Sequence, residues 1–380
     1  MKAALLKTWE NMELLDMEKP ALEAGEAHIR VIYAGVCGSD ITVYSGKHPT
    51  ATAPVVIGHE IIGVIEEISE NENFKVGDRV TVEPLISCGT CEACRKGHKH
   101  VCKTLKLLGI HENGGYAEYT KAAVNKLVKI PEGLSDEVGA LAEPFAVGYH
   151  VVSRSGLEAG MDAQVIGGGP IGIVVALSAM HKGGNVYISE VNKNRLALAE
   201  KLGIKTINPT ECDINAKIAE LTNGNGFDVV YEASGSKPGI LLSTDACKIR
   251  GTIVPLSLAG VPVEFCLGKV SFKEMSVIGS RVYPFDHFVA GVNMLAEIAA
   301  AKDIRPLISD ILPLADAQKA IDMMKGGINC GKILIDCKYA ASRLRRAADS
   351  RPYGSFVRTL AIYCLWCCPT ASHNTRNQRE

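Results

Sequence analysis

Hydrophobic and polar positions follow two rhythms along the chain, and the change between them falls near residue 150. Before it, short runs rich in β-branched residues are punctuated by glycine and proline. Residues 29–34, 55–68, 79–83 and 116–121 read as strands, with 75–80 a turn entering the third of them. This predicts a mostly antiparallel β region. After the change, apolar runs of strand length at 164–167, 186–190, 227–234 and 252–256 alternate with helical periods, the first two at 171–181 and 193–202. That alternation predicts βαβ units and a doubly wound parallel sheet with helices on its faces. A strand at 274–280 and a helix at 285–301, apolar at Phe288, Val292, Leu295 and Ile298, complete the series. The fold class is α/β in two domains: residues 1–150 with 275–338, and residues 151–274. Near Tyr149 a helix shared between the domains is expected in place of a flexible tether.

Composition narrows the class. With 22% charged and 47% hydrophobic residues over 380 positions, the chain is ordinary globular protein. Its net charge of −1 gives no electrostatic reason to expect nucleic acid, so small-molecule work is the default. No segment reaches the roughly 18–20 apolar residues of a membrane helix, and the start carries no long apolar stretch. A soluble, cytoplasmic protein is expected. The balance shifts at residue 339: the last 42 residues hold seven Arg and no Lys, together with Cys364, Cys367 and Cys368. Residues 339–380 are therefore read as an atypical tail, non-native or disordered, outside the fold.

Candidate chemistry is concentrated in three places. Cys88, Cys91, Cys94 and Cys102 are spaced Cys-x2-Cys-x2-Cys-x7-Cys, which lets one loop wrap four thiolates around a tetrahedral zinc. Two disulfides are the competing reading, but the packing suits bridges poorly and nothing argues for an oxidising compartment. Four thiolates leave no open position, so this zinc would brace the fold. Next, Gly167, Gly169 and Gly172, with Pro170 and Ile171 between them, fall on G-x-G-x-x-G where an apolar strand meets a helix. The glycines suit a tight turn, backbone approach to a pyrophosphate and close helix packing, and the helix N-terminus supplies N–H groups for the anion. Glu190 ends the next strand, placed to bind an adenosine ribose and repel a 2′-phosphate. That points to NAD over NADP, with Arg195 nearby softening the preference. Finally, Cys37-Gly38-Ser39-Asp40 ends one strand and Gly58-His59-Glu60 precedes another.

Taken with Leu141-Ala142-Glu143-Pro144, the cysteine lobe, the 75–80 turn and Gly114-Gly115-Tyr116-Ala117-Glu118-Tyr119, these residues resemble the zinc-dependent medium-chain alcohol and polyol dehydrogenases, in their sorbitol, butanediol and threonine dehydrogenase branch. The resemblance spans nearly all of residues 1–338. It implies a GroES-like β-rich catalytic domain with a Rossmann cofactor domain, two zincs per chain, NAD, and a homodimer or homotetramer. It also implies a catalytic zinc held by Cys37, His59 and Glu60, with Glu143 reached directly or through water. Asp40 would orient His59, and Ser39 would take the proton from a bound secondary alcohol.

Two departures touch function. Thr42 stands where many relatives have a relay histidine, leaving His48 or water to finish the relay. Arg281 and Tyr283 resemble a substrate-contacting Arg-Tyr pair but are separated by Val282. Tyr44 and Phe285 are candidates for the pocket wall or for plain core. Competing functions are a zinc-independent quinone or enone reductase on the same scaffold and a zinc-ribbon nucleic-acid binder, the latter suggested by Arg95, Lys96, Lys99 and Lys103 beside the cysteines. The acidic balance of residues 1–338 opposes the second.

Overall fold

The computed structural model describes residues 1–69, 71–257, 262–327 and 329–338, so the arginine-rich tail lies outside the described residues. The first rhythm of the sequence builds a seven-stranded sheet. Its order is Leu127–Lys129, Arg79–Val82, Glu60–Ile68, Glu26–Gly35, Lys332–Asp336 and Ile308–Pro313, with Tyr119–Ala123 also paired to Glu26–Gly35. Glu26–Gly35 is buried at nearly every position because strands flank it on both sides and core covers both faces. Its last residue, Gly35, pairs with Glu60 on one side and Leu334 on the other. The chain leaving that strand therefore enters Cys37 already bracketed by Glu60 and the strand that begins with Lys332.

The expected strand at 55–68 is two strands. Val55–Val56 joins Lys2–Thr8 and Asn11–Asp16 in a small sheet, and Glu60–Ile68 enters the large one. The break is Ile57-Gly58-His59, where Gly58 has φ +93°, and a Cβ there would lie 2.4 Å from the Tyr116 ring. No strand continues through that conformation, which only glycine adopts at little cost. Gly115 and Tyr116 donate their N–H groups to Gly58 and Ile57 at 2.8 and 3.0 Å, so the strand expected from 116 starts at Tyr119. The segment expected as a strand at 274–280 is strand only at Ser276–Val277.

The second rhythm builds a six-stranded parallel sheet in the order Lys205–Ile207, Asn185–Ser189, Asp162–Ile166, Phe227–Glu232, Cys247–Pro255 and Ser276–Val277. The chain first moves outward from Asp162–Ile166 to one edge, then restarts beside it at Phe227–Glu232. Such a reversal opens a crevice at the carboxyl ends of the two central strands. Among the described residues no helix is long and apolar enough to cross a membrane.

Helix Ala142–Ser155 packs between Pro170–His181 and Phe285–Ala301, and where it meets the latter His150 Nδ1 stands 3.0 Å from His287 Nδ1. One nitrogen must donate and the other accept. Burial, followed by His287 and His100, lowers His150 to about 4; Arg154 acts in the same direction and Asp286 against it. A histidine depressed in the fold contributes stability above its unfolded value near 6.5 and loses it as pH falls toward 4. Replacing it should blunt that loss. We expect the Tm gap between parent and His150→Gln to narrow steadily from pH 7 to pH 5; parallel Tm curves would contradict this.

Candidate metal and cofactor sites

Cys37 caps helix Gly38–Tyr44, and its backbone N–H is accepted by Asp40 Oδ2 at 2.9 Å. Asp40 is fully buried and also accepts the Tyr116 hydroxyl at 3.1 Å. Its other oxygen faces His59 Nδ1 at 3.4 Å, outside hydrogen-bond geometry, so both atoms are buried without a hydrogen-bond partner. On the far side of the ring, His59 Nε2 lies 3.5 Å from Ser39 Oγ. Glu60 is anchored through Oε1 by Lys332 Nζ at 2.6 Å, and Lys332 also donates to the Val36 carbonyl at 2.9 Å. Glu60 Oε2 is buried and unpartnered.

Cys37, His59 and Glu60 each offer a ligand atom, all within 4.8 Å of one another. A single zinc bonds sulfur at about 2.3 Å and nitrogen or oxygen at about 2.0–2.2 Å, so it can bridge such a span. The electrostatics agree. Burial disfavours a charged imidazole, yet Asp40 and Cys37 outweigh it and hold His59 well above the ordinary histidine range. Buried Lys332 is likewise raised by Glu60 and Cys37 despite desolvation. The corner attracts positive charge where three unlike donors converge, and a thiolate, an imidazole and a carboxylate form a donor set that fits zinc.

Glu143 lies in the first turn of Ala142–Ser155, buried and outside that three-residue set. Desolvation pushes its pKa up, His59 opposes this and Glu60 reinforces it. Its Oε1 accepts the Tyr283 hydroxyl at 2.6 Å. Tyr283 is fully buried while Arg281 is exposed, so the two side chains, already set apart by Val282 in the sequence, lie in different environments. Tyr44 packs its ring in the core, and its hydroxyl donates to the Glu10 carbonyl at 2.7 Å. Phe285 opens its helix with its ring partly exposed. Thr42 spends its hydroxyl on the Gly38 carbonyl at 3.4 Å. His48 Nδ1 accepts from Ala51 N at 3.1 Å, turned into its own loop.

In the lobe, the sulfur of Cys102 is 3.4 Å from that of Cys88, Cys91 is 3.9 Å from Cys102, and Cys88 is 4.0 Å from Cys94. These are free thiols, too far apart for disulfides. A tetrahedron with Zn–S near 2.3 Å has edges of about 3.8 Å, so four thiolates at these separations suit one metal. Backbone N–H groups of Thr90 and Cys91 lower Cys88 to about 5, toward the thiolate a metal needs. The antiparallel pair Leu85–Ile86 and Lys106–Leu107 closes the lobe, and Cys94, Cys102 and Leu105 pack into the main core. Nearby, Arg95 donates to the Thr90 carbonyl and Lys96 pairs with Glu92 at 2.7 Å, both contacts within the lobe's own loop.

At the crevice, Gly167 turns with φ +105° and Gly169 caps helix Pro170–His181 with Pro170 at its first position. Ile171 continues the first turn. A Cβ on Gly172 would sit 2.0 Å from the Gly167 carbonyl, so no other residue fits. Glu190 accepts from Gly168 N at 2.8 Å, Val191 N at 2.7 Å and Asn192 N at 2.9 Å, which ties the second strand to the glycine turn. Arg195 Nη1 stands 3.7 Å from Glu190, and its Nε is buried without a partner.

Residues 23–132 match the alcohol dehydrogenase GroES-like domain, and residues 170–297 match the zinc-binding dehydrogenase domain. The 2-dehydro-3-deoxy-L-galactonate 5-dehydrogenase of Pseudoalteromonas atlantica is 38% identical over 83% of this chain and 93% of its own. The chain belongs to the zinc-type medium-chain dehydrogenase family. The L-threonine 3-dehydrogenase of Escherichia coli is 34% identical over 88% of this chain and 99% of its own. The solved 2R,3R-butanediol dehydrogenase of Bacillus subtilis is 31% identical, covers 88% of this chain and 99% of its own, and superposes with a TM-score of 0.81. A zinc-binding dehydrogenase of Sinorhizobium meliloti 1021 bound to NADP gives the same identity and TM-score, covering 88% of this chain and 98% of its own. The expected GroES-like and Rossmann architecture is thereby established, and the zinc-free reductase is not favoured. Sequence reading missed Lys332 and Tyr283 as clamps on the two carboxylates. A lysine opening the apolar run Ile333-Leu334-Ile335 was the available signal, since a lysine in a buried strand needs a counter-charge.

Proposed function

We propose that this dehydrogenase oxidises a secondary alcohol to a ketone with NAD, and runs in reverse. The observation that carries the reading is the convergence of Cys37, His59 and Glu60 donor atoms in a buried corner. These three would hold the catalytic zinc, with Glu143 at one remove and Cys88, Cys91, Cys94 and Cys102 holding a second, structural zinc. Zinc bound there would supply Lewis-acid chemistry, acidifying a bound hydroxyl and polarising the product carbonyl, and NAD would supply the hydride acceptor. The chain's own part is to hold and orient. Asp40, 3.4 Å from His59 Nδ1, would orient the ring when the nitrogen on its other side is bound. Ser39, 3.5 Å from His59 Nε2, would take the hydroxyl proton. With Thr42 hydrogen-bonded to its own helix, water is the next station in that relay.

Residues 1–150 with 275–338 would form the catalytic domain and 151–274 the cofactor domain, in a cytoplasmic homodimer or homotetramer. Support for assembly comes from the open edge of the parallel sheet. There Val277, Leu267 and Phe272 are exposed, Phe272 by 93%. A screen of NAD reduction across diols, polyols, hydroxy acids and hydroxysteroids, followed by nicotinamide absorbance, tests the reading. A secondary alcohol should be oxidised, and activity confined to enone reduction would overturn it.

Gly167, Gly169, Pro170, Ile171 and Gly172 would cradle the pyrophosphate, and Glu190 would bind the adenosine ribose, giving NAD over NADP. A hydrogen bond to a charged group is worth about 1.5–3 kcal/mol, so Glu190→Ala should narrow the NAD/NADP ratio of kcat/KM by about 10–100-fold. An unchanged ratio would remove Glu190 from cofactor choice and leave Arg195 as the determinant.

A further inference from the structure

We propose that Tyr283 is a positioning residue for Glu143, fixing which carboxylate oxygen remains available to the Cys37–His59–Glu60 corner. The inference rests on reading that corner as the catalytic zinc site. Three observations carry it. First, the Tyr283 hydroxyl donates to Glu143 Oε1 at 2.6 Å, with both side chains buried, so one oxygen is committed and the carboxylate plane is set. Second, the phenol ring stacks on Phe288, with centroids 5.4 Å apart and planes 28° apart, which holds the hydroxyl in place from behind. Third, Val282 has φ +40°. A β-branched residue rarely adopts that conformation, and such strain persists only where the surroundings over-determine it. Here the strained residue sends Arg281 outward to solvent and Tyr283 inward to Glu143.

The two carboxylates of the site are clamped in the same way by different groups. Glu60 gives one oxygen to Lys332 and keeps the other free inside the donor set. Glu143 gives one oxygen to a neutral phenol and stays outside the set. A charged clamp holds the inner carboxylate and an uncharged one the outer. Tyr283 is therefore assigned to metal-site geometry and not to substrate recognition.

Tyr283→Phe keeps the ring and its stacking and removes only the hydrogen bond. Zinc transfer to a chromogenic chelator should show a phase that is absent from His59→Ala and belongs to the catalytic metal. We expect Tyr283→Phe to speed that phase by about 10–100-fold, the usual effect of losing a partner that orients the metal's surroundings. The visible bands of the cobalt-substituted protein should shift as well. Tyr44→Phe, which loses a part-buried phenol bond to the Glu10 carbonyl away from the site, is the control. It should lower Tm while leaving the phase and the cobalt bands as in the parent. A Tyr283→Phe protein with unchanged phase and bands overturns the assignment. A His59→Ala protein that keeps both zincs overturns instead the zinc reading on which it rests.

Discussion

Cys37→Ser is expected to fold, to carry one zinc in place of two, and to lose turnover by about a thousandfold. The magnitude follows from the several kcal/mol of charge stabilisation a catalytic metal supplies, at about 1.4 kcal/mol per tenfold in rate. The fold should survive because Cys37 sits at a helix cap whose backbone N–H remains held by Asp40, and Asp40 in turn by Tyr116. The loss should appear in kcat as much as in kcat/KM, since Cys37 would act by holding the zinc that polarises the reacting hydroxyl and would not bind the remote parts of the substrate. Zinc content, Tm and turnover on one preparation check the three parts together. A Cys37→Ser protein that turns over normally would remove this corner from the chemistry.

Cys91→Ser is expected to divide those effects the other way. Losing one of four thiolates should empty the lobe of zinc, and loss of a structural metal belongs among the substitutions that cost about 3–5 kcal/mol. For a chain of this size that lowers Tm by about 5–10 °C. The damage spreads beyond the loop because Cys94, Cys102 and Leu105 pack with Leu141 and Phe145 in the main core. Protein that remains folded should keep kcat/KM within about threefold of the parent, as distant sites act nearly independently. Matching losses of the chemical step in Cys91→Ser and Cys37→Ser would dissolve the distinction between a bracing and a working metal.

Much of this was legible in the sequence because local chemistry fixes it. The cysteine spacing, the glycine fingerprint and the strand–helix alternation each depend on residues close together in the chain, and they appear where expected. The break at Ile57-Gly58-His59 was missed for the opposite reason. Its β-branched neighbours read as one strand, whereas the conformation of Gly58 is dictated by Tyr116, brought across from a distant loop. The clamps are likewise products of topology. Lys332 reaches Glu60 only because strand Lys332–Asp336 lies on the other side of Glu26–Gly35, and a sequence separation of 272 residues hides that pairing. Val282, which separates Arg281 and Tyr283 and already set them apart from a substrate-contacting pair, is strained and sends the two side chains to opposite environments, but nothing local in the sequence names Glu143 as the partner of Tyr283.

Metal count against NAD reduction tests the central claim most directly. Purified protein should contain two zincs per chain by mass spectrometry. Chelation that removes the zinc of the Cys37 corner should abolish NADH formation from a secondary alcohol, and zinc readdition should restore it. NADH formation that continues undiminished after both zincs are gone would contradict the account.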